Sequence, residues 1–427
     1  MDAGADLHRW AADLFPICRS LTGDGVRQTL SYLQELVPGL EIREIASGTQ
    51  VLDWNVPDEW NIRDAYIADS SGRRVVDFHE SNLHVVGYST PIDTKMTRAE
   101  LEPHLYSLPD QPTAIPYVTS YYSRAWGFCM SEQQREAIGE GPFHVVIDST
   151  IGPGVLNYAE ILIEGDTPEE ILLSTYVCHP SMANNELSGP VVAAALARWL
   201  QAMPRRRYSY RILFLAETIG ALAYLSQHLE HLQQQVRAGW VLTCIGDDRA
   251  YSYLESRLAN TLADRLSVKI MDERAADYTT YSYLHRGSDE RQWCAPGVDL
   301  PVASLMRSKY NTFPEYHTSL DDLTFVTPEG LQGGLDMMKA AITLAEANRV
   351  WRATTLGEPQ LGKRGLYPTM STKGSTAVVI DLKNVLAYCD GAHDVIDISN
   401  TIGLPTAAVL EILEKLAGPG LIEVVDA

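Results

Sequence analysis

From Val155 to Arg349 the chain alternates short apolar runs with stretches of helical period, and this alternation restricts it to a small set of folds. Runs of strand character cover Ala159 to Glu164, Ile171 to Val177, Tyr210 to Leu215, 239–245 and Val302 to Met306. Helical spacing marks 188–202, 219–235 and 256–265, and a long helix from Pro328 to Arg349 closes the segment. The pattern predicts an α/β domain, a central mixed sheet flanked by helices. In such sheets, side chains just past the carboxyl ends of strands gather on one rim. His179, Glu217, Asp247 and His317 all lie at or shortly beyond such ends.

The flanking segments differ in texture. Residues 6–36 read as two helices broken by Pro16 and by the Thr22-Gly23-Asp24-Gly25 turn, and residues 1–38 are assigned with 149–352 to the α/β domain. Residues 39–148 carry short β-rich runs punctuated by prolines and read as an inserted β-rich domain. Residues 361–427 carry helical segments near 380–388, 394–402 and 405–416, then Gly418-Pro419-Gly420 and a short strand, the layout of a small winged-helix domain. Its third helix holds Glu411 and Glu414 against one Lys415, so it suits docking or homo-oligomerisation rather than nucleic acid.

With 55 acidic against 34 basic residues, the net charge of -21 repels phosphate backbones. The one compact basic cluster, Arg205-Arg206-Arg207, follows a helix end, where cations favour the dipole. Six cysteines without a paired spacing predict a reduced, cytoplasmic protein, and no run approaches the ~18 apolar residues of a membrane span.

Five polar stretches carry candidate chemistry. Cys178-His179-Pro180-Ser181 leads through Asn185 and Glu186 into Ser188-Gly189, which lets a helix start pack close to the sheet. Glu217 follows an apolar strand directly, where partial desolvation raises a carboxyl towards the range of a general base. Gly246-Asp247-Asp248 presents a ligand carboxylate or an ordinary turn. Gly287-Ser288-Asp289-Glu290-Arg291 presents carboxylates that orient a ligand or pair with the arginine. Tyr316-His317-Thr318 aims an imidazole into a cleft, or forms a solvated turn.

In this order the stretches resemble the co-catalytic zinc aminopeptidase family over residues 150–350. The chain is most similar to a bacterial aminopeptidase-like branch with an inserted β domain and a C-terminal winged helix, through Pro16-Ile17-Cys18-Arg19-Ser20-Leu21-Thr22-Gly23 and Cys178-His179-Pro180-Ser181. The resemblance implies His179 and His317 as metal ligands and Glu217 as the base that deprotonates the attacking water. The family's bridging aspartate falls on Asn185, its second glutamate on Thr218, its other metal aspartate on Thr243, and a histidine on Glu290. Asn and Thr are poor zinc ligands, so a site of one zinc is expected, with two as the alternative, and with Glu186 or Asp247 joining His179 and His317. The implied activity is hydrolysis of a peptide or aminoacyl amide, with Asp289 a candidate to fix the substrate's free amine. A non-catalytic binding protein in the altered cleft, and an acyl transferase or cyclase on the same fold, are the alternatives.

Overall fold

The computed structural model describes residues 3–275, 277–366 and 375–425. It divides into two compact units. The first runs to Asp264 and resumes over Asp277–Met337, and the second takes the segment from Arg265 to 275 and continues from Met338.

The first unit is organised by an eight-stranded sheet of β1 (Glu41–Ala46), β2 (Val155–Ile163), β3 (Glu170–Tyr176), β4 (Ser209–Leu215), β5 (Val236–Val241), β6 (Ser252–Leu254), β7 (Thr279–Tyr281) and β8 (Val302–Met306). Its spatial order is β1-β2-β4-β3-β5-β8-β6-β7. The four central strands β4, β3, β5 and β8 run parallel, with Leu173 opposite Ile212 and Trp240. Every residue of β3 is buried, which is why it reads as a nearly unbroken apolar run. Helices α1 (Ser188–Ala202) and α2 (Ile219–Gln235) make the crossovers on either side of β4.

Several boundaries differ from the sequence reading. Glu41–Ala46, assigned there to the insert, pairs antiparallel with β2 as the sheet's edge strand, Ile42 opposite Ala159. Only Ile45 of its six residues is buried, so its sequence carries little core signal. The helix expected at 256–265 begins instead at Leu262 and runs to Arg274. Asp264 explains the delay. Its carboxylate accepts from Ser256 N (2.8 Å), Thr261 N (2.9 Å) and Thr261 Oγ1 (2.7 Å), tying 256–261 into a capped loop.

The insert centres on an antiparallel sheet in the order Arg74–Asp77, Glu59–Ala68, Phe143–Gly152, Ile92–Met96. Within the first unit it is locked to the α/β part through Glu59, which accepts from Arg27 Nη2 (2.6 Å), Arg27 Nη1 (3.1 Å), Asn61 Nδ2 (2.9 Å) and Val155 N (3.0 Å). The hydrogen bonds from Arg27 are the main reason its carboxyl falls from 4.5 to about 2. A carboxyl depressed in the folded state stabilises fully above its unfolded value, and that contribution is lost as pH falls through the folded one. Glu59→Gln is therefore expected to flatten the acid limb of the stability curve between pH 4.5 and about 2. Urea midpoints measured across that range check this, and an unchanged slope counts against it.

In the second unit, helices Ser375–Ala387, Val395–Ile402 and Thr406–Ala417 pack through Val385, Ile398, Val409 and Leu413, and Trp351–Ala353 pairs with Ile422–Val424 as the wing. The wing's first strand precedes residue 361, where the sequence reading started this domain. No single helix among the described residues is long and apolar enough to cross a membrane.

Candidate active site

β3 ends at Tyr176, and the next three residues carry the chain to His179, which is 3% exposed. After Met182 a widened helical turn, Ala183–Leu187, brings Asn185 and Glu186 back beside the histidine. The close approach that Ser188-Gly189 suggests is real. A Cβ on Gly189 would sit 2.1 Å from the Leu242 carbonyl oxygen and 2.4 Å from Thr175 Oγ1, so no side chain fits there.

His179 Nδ1 lies 2.8 Å from Glu186 Oε2. Behind this pair lies Arg19, buried like Glu186, with Nε 3.6 Å from Glu186 Oε1. Arg19 also donates to the His179 carbonyl (3.0 Å) and to Leu14 O (2.7 Å). The N-terminal segment therefore fixes the metal-ligand candidate from its rear, leaving Nε2 on the cleft side.

On that side stands Glu217, with Oε2 3.7 Å from His179 Nε2. It leaves β4 in a sharp turn at Thr218, whose φ of 63° is strained for a β-branched residue. Two contacts hold the turn: Glu217 N donates to Cys178 Sγ (3.3 Å), and Thr218 N donates to Asp289 Oδ1 (2.6 Å). His317 closes the cleft, also at positive φ (56°), with its ring stacked on Tyr316 at 3.9 Å and 5.6 Å from the ring of His179. Tyr117, delivered by the insert, stands edge-on to both imidazoles at 5.2 Å each. Its N–H donates to the His317 carbonyl (2.8 Å), and its hydroxyl meets that of Tyr121 at 2.5 Å.

Burial dominates the electrostatics. It pushes His179 and His317 down to about 3, so both imidazoles are neutral and fit to ligate. It pushes Glu186 up to about 8 against the pull of Arg19. Burial, reinforced by Asp289, also raises Glu217 to about 8, and burial raises Asp289 to about 7. A buried centre with this surplus of carboxyl groups suits a cation.

Not every candidate joins the cleft. Asp247, proposed as a ligand, instead braces the loop after β8: its carboxylate accepts from Ser308 N (2.8 Å), Ser308 Oγ (2.7 Å), Asn184 Nδ2 (3.0 Å) and Arg249 N (3.0 Å). Asp289 spends Oδ1 on the Thr218 turn, while its buried Oδ2 has no partner among the described residues. Glu290 accepts from Gly287 N (2.7 Å), Ser288 N (2.9 Å) and Tyr310 Oη, and so shapes its own loop. The sequence reading gave no role to Arg19, although a charge inside the small and apolar run 14–23 was its signal.

A two-zinc centre does not fit these residues. At the bridging position Asn185 Oδ1 accepts from Tyr176 Oη (3.3 Å) and Nδ2 is buried without a partner among the described residues, so an amide replaces the anion that would hold two cations together. Thr243 Oγ1 donates to Asn185 O (2.9 Å), and Thr218 Oγ1 accepts from Arg291 Nη2 (2.7 Å), which brings a fixed positive charge. One zinc does fit in kind. His179 and His317 provide imidazole nitrogens, Glu217 faces them, and Glu186 is the carboxylate that orients a ligand histidine through its other nitrogen. Among the described residues the tightest group that includes His179 is Cys178, His179 and Glu186, on the Nδ1 side, where the Arg19 guanidinium already supplies the cation.

Comparison with known proteins bears on the family and the fold. Residues 8–348 match a family described as a domain of unknown function, DUF4910, and residues 349–424 match a winged helix-turn-helix family. The chain belongs to the DUF4910 family, and its C-terminal segment matches the winged helix-turn-helix family. A Clostridium acetobutylicum protein named "Putative polysaccharide biosynthesis protein with aminopeptidase-like domain" is 40% identical over 407 residues, covering 94% of this chain and 92% of its own. A solved structure from the same organism, titled a "putative peptidase", superposes with a TM-score of 0.93 at 38% identity over 99% of this chain and 96% of that one. The zinc aminopeptidase BSAP of Bacillus subtilis matches at TM-score 0.56 and 12% identity, covering 80% and 94%. A peptidase M28 precursor of Shewanella amazonensis matches at 0.58 and 13%, covering 84% and 95%. The last two show the fold: the first unit is an aminopeptidase-like α/β domain.

Proposed function

We propose that the protein is a metal-dependent amide hydrolase of aminopeptidase-like type working with one zinc. The observation that carries this reading is the pair of neutral imidazoles, buried His179 and half-buried His317, facing one cleft with Glu217 3.7 Å from His179 Nε2. A zinc held there would lower the pKa of its water towards ~7 and polarise the amide carbonyl. Glu217 takes the proton of the attacking water as its oxygen bonds to the acyl carbon, and returns that proton to the nitrogen as the C–N bond breaks. Glu186 keeps the His179 hydrogen on Nδ1, and Tyr117 walls the cleft against bulk water. The role in the Clostridium relative's name adds amides borne on sugar building blocks to the peptide amides as candidate substrates.

The winged helix supports docking rather than nucleic-acid binding. Glu273 accepts from Thr406 N (2.8 Å) and Thr406 Oγ1 (2.7 Å), so a carboxylate already sits at the helix start where a phosphate would bind.

Elemental analysis of protein purified without chelators is expected to give about one zinc per chain, falling towards none in His179→Ala and His317→Ala. Full zinc content in both variants would remove the proposed centre.

A further inference from the structure

The departures from the aminopeptidase pattern are not scattered. Three positions where that family places anions hold neutral side chains, Asn185, Thr218 and Thr243, and one of the three is bonded to a guanidinium. Arg291 lies half-buried as the second residue of the short helix Glu290–Trp293. Its Nε donates to Ser288 O (2.9 Å) and its Nη2 to Thr218 Oγ1 (2.7 Å), which orient the plane beside the residue that follows Glu217. Among the described residues its Nη1 has no hydrogen-bond partner and Arg291 forms no ion pair within 4.0 Å, although Glu290 adjoins it in sequence and its charge acts on Glu217 and Asp289.

A guanidinium steered by two neutral acceptors, with part of its fork uncommitted at the edge of a reaction cleft, is arranged to receive an anion. The fork's planar geometry matches a carboxylate. An aminopeptidase must hold a substrate cation, its free amine, whereas here a fixed positive charge stands beside the carboxyl groups of Glu217 and Asp289. Asp289, the candidate for an amine clamp, has already spent one oxygen on the Thr218 turn.

Resting on the hydrolase reading above, we propose that Arg291 binds a substrate carboxylate, making the protein a hydrolase of carboxylate-bearing amides, such as N-acylated amino acids, rather than of amides with a free amine. For such a substrate, water's oxygen joins the acyl carbon, the C–N bond breaks, and the released amino acid keeps the carboxylate that Arg291 holds. Arg291 is a specificity residue here. It takes no part in proton transfer.

The test compares three matched probes on the zinc-loaded full chain: N-acetyl-L-alanine, its methylamide, and L-alanine amide. The wild type is expected to favour N-acetyl-L-alanine over each of the others by about 10- to 100-fold in kcat/KM, the scale of one charge-assisted contact. Arg291→Gln is expected to bring the carboxylate-to-methylamide ratio to about unity through KM, and Arg291→Lys to keep part of the preference. A wild-type preference for L-alanine amide, or a ratio unmoved in Arg291→Gln, overturns the proposal. A second readout separates it from the hydrolase reading. N-acetyl-L-alanine binding is measured by calorimetry on wild-type and Arg291→Gln protein. Binding lost in the variant sustains the carboxylate site even if no probe is cleaved, whereas cleavage without any dependence on Arg291 sustains the hydrolase and rejects this site.

Discussion

Glu217→Gln protein is expected to fold and hold zinc like the wild type while turning over amides about 10²- to 10⁴-fold more slowly, the range by which a positioned general base contributes. The substitution preserves shape and removes the oxygen that accepts a proton. Its neighbours predict that little else changes, because the backbone N–H of Glu217 bonds Cys178 Sγ and the turn is held at Thr218 by Asp289, neither through the Glu217 side chain. Burial and Asp289 both oppose a charge at this position, so the neutral amide is expected to leave the thermal midpoint unchanged or raised. Single-turnover rates, zinc content and thermal unfolding on the same preparation check the three parts. Activity within about threefold of wild type, far below the expected range, would mean that another group takes the proton.

The sequence made some parts of the molecule legible and hid others for physical reasons. The parallel core was readable because strands buried on both faces carry long apolar runs, as β3 does, and because polar side chains gather beyond strand ends, as His179 and Glu217 do. The edge strand Glu41–Ala46 was not, since one buried residue in six leaves no pattern. Asp247 looked like a ligand because Gly-Asp-Asp after a strand suits a metal and a turn equally, and only the four hydrogen bonds that occupy its carboxylate separate the two. Glu186 was found as a residue, but its engagement with the Nδ1 side of His179 depends on a widened turn that no local spacing reveals. Tyr117 belongs to an aromatic stretch with Tyr121, Tyr122 and Trp126 that local sequence leaves without a place. Its seat between two imidazoles is set by backbone pairing of 115–117 with 317–319, about two hundred residues apart, as in Tyr117 N to His317 O and Ser319 N to Ile115 O.

Arg19 is the residue whose loss is expected to cost the fold most. Its side chain is fully buried, reaches Leu14 O and His179 O by hydrogen bonds, and faces Glu186 at 3.6 Å. Replacing it with methionine keeps much of the volume and removes the charge, stranding Glu186 and two carbonyl oxygens away from water. Breaking one side of such a buried pair costs about 3–5 kcal/mol, well above the cost of an exposed one. Part of that cost comes from the carboxylate left behind, so Arg19→Met combined with Glu186→Gln is expected to be more stable than Arg19→Met alone. Denaturant midpoints of the wild type, both single variants and the double close the cycle. A loss below about 1 kcal/mol in Arg19→Met, the size of an exposed pair, would mean that the pair contributes nothing beyond packing. Zinc titration of the same four proteins extends the argument to function. Glu186 orients His179, and Arg19 sets both the carboxylate's charge and the position of the histidine's carbonyl, so zinc affinity should fall by about 10- to 100-fold in either single variant. A stability loss with unchanged zinc affinity would assign Arg19 to the fold alone. Loss of both places the N-terminal segment among the parts that build the centre, although it lies about 160 residues from His179 in sequence.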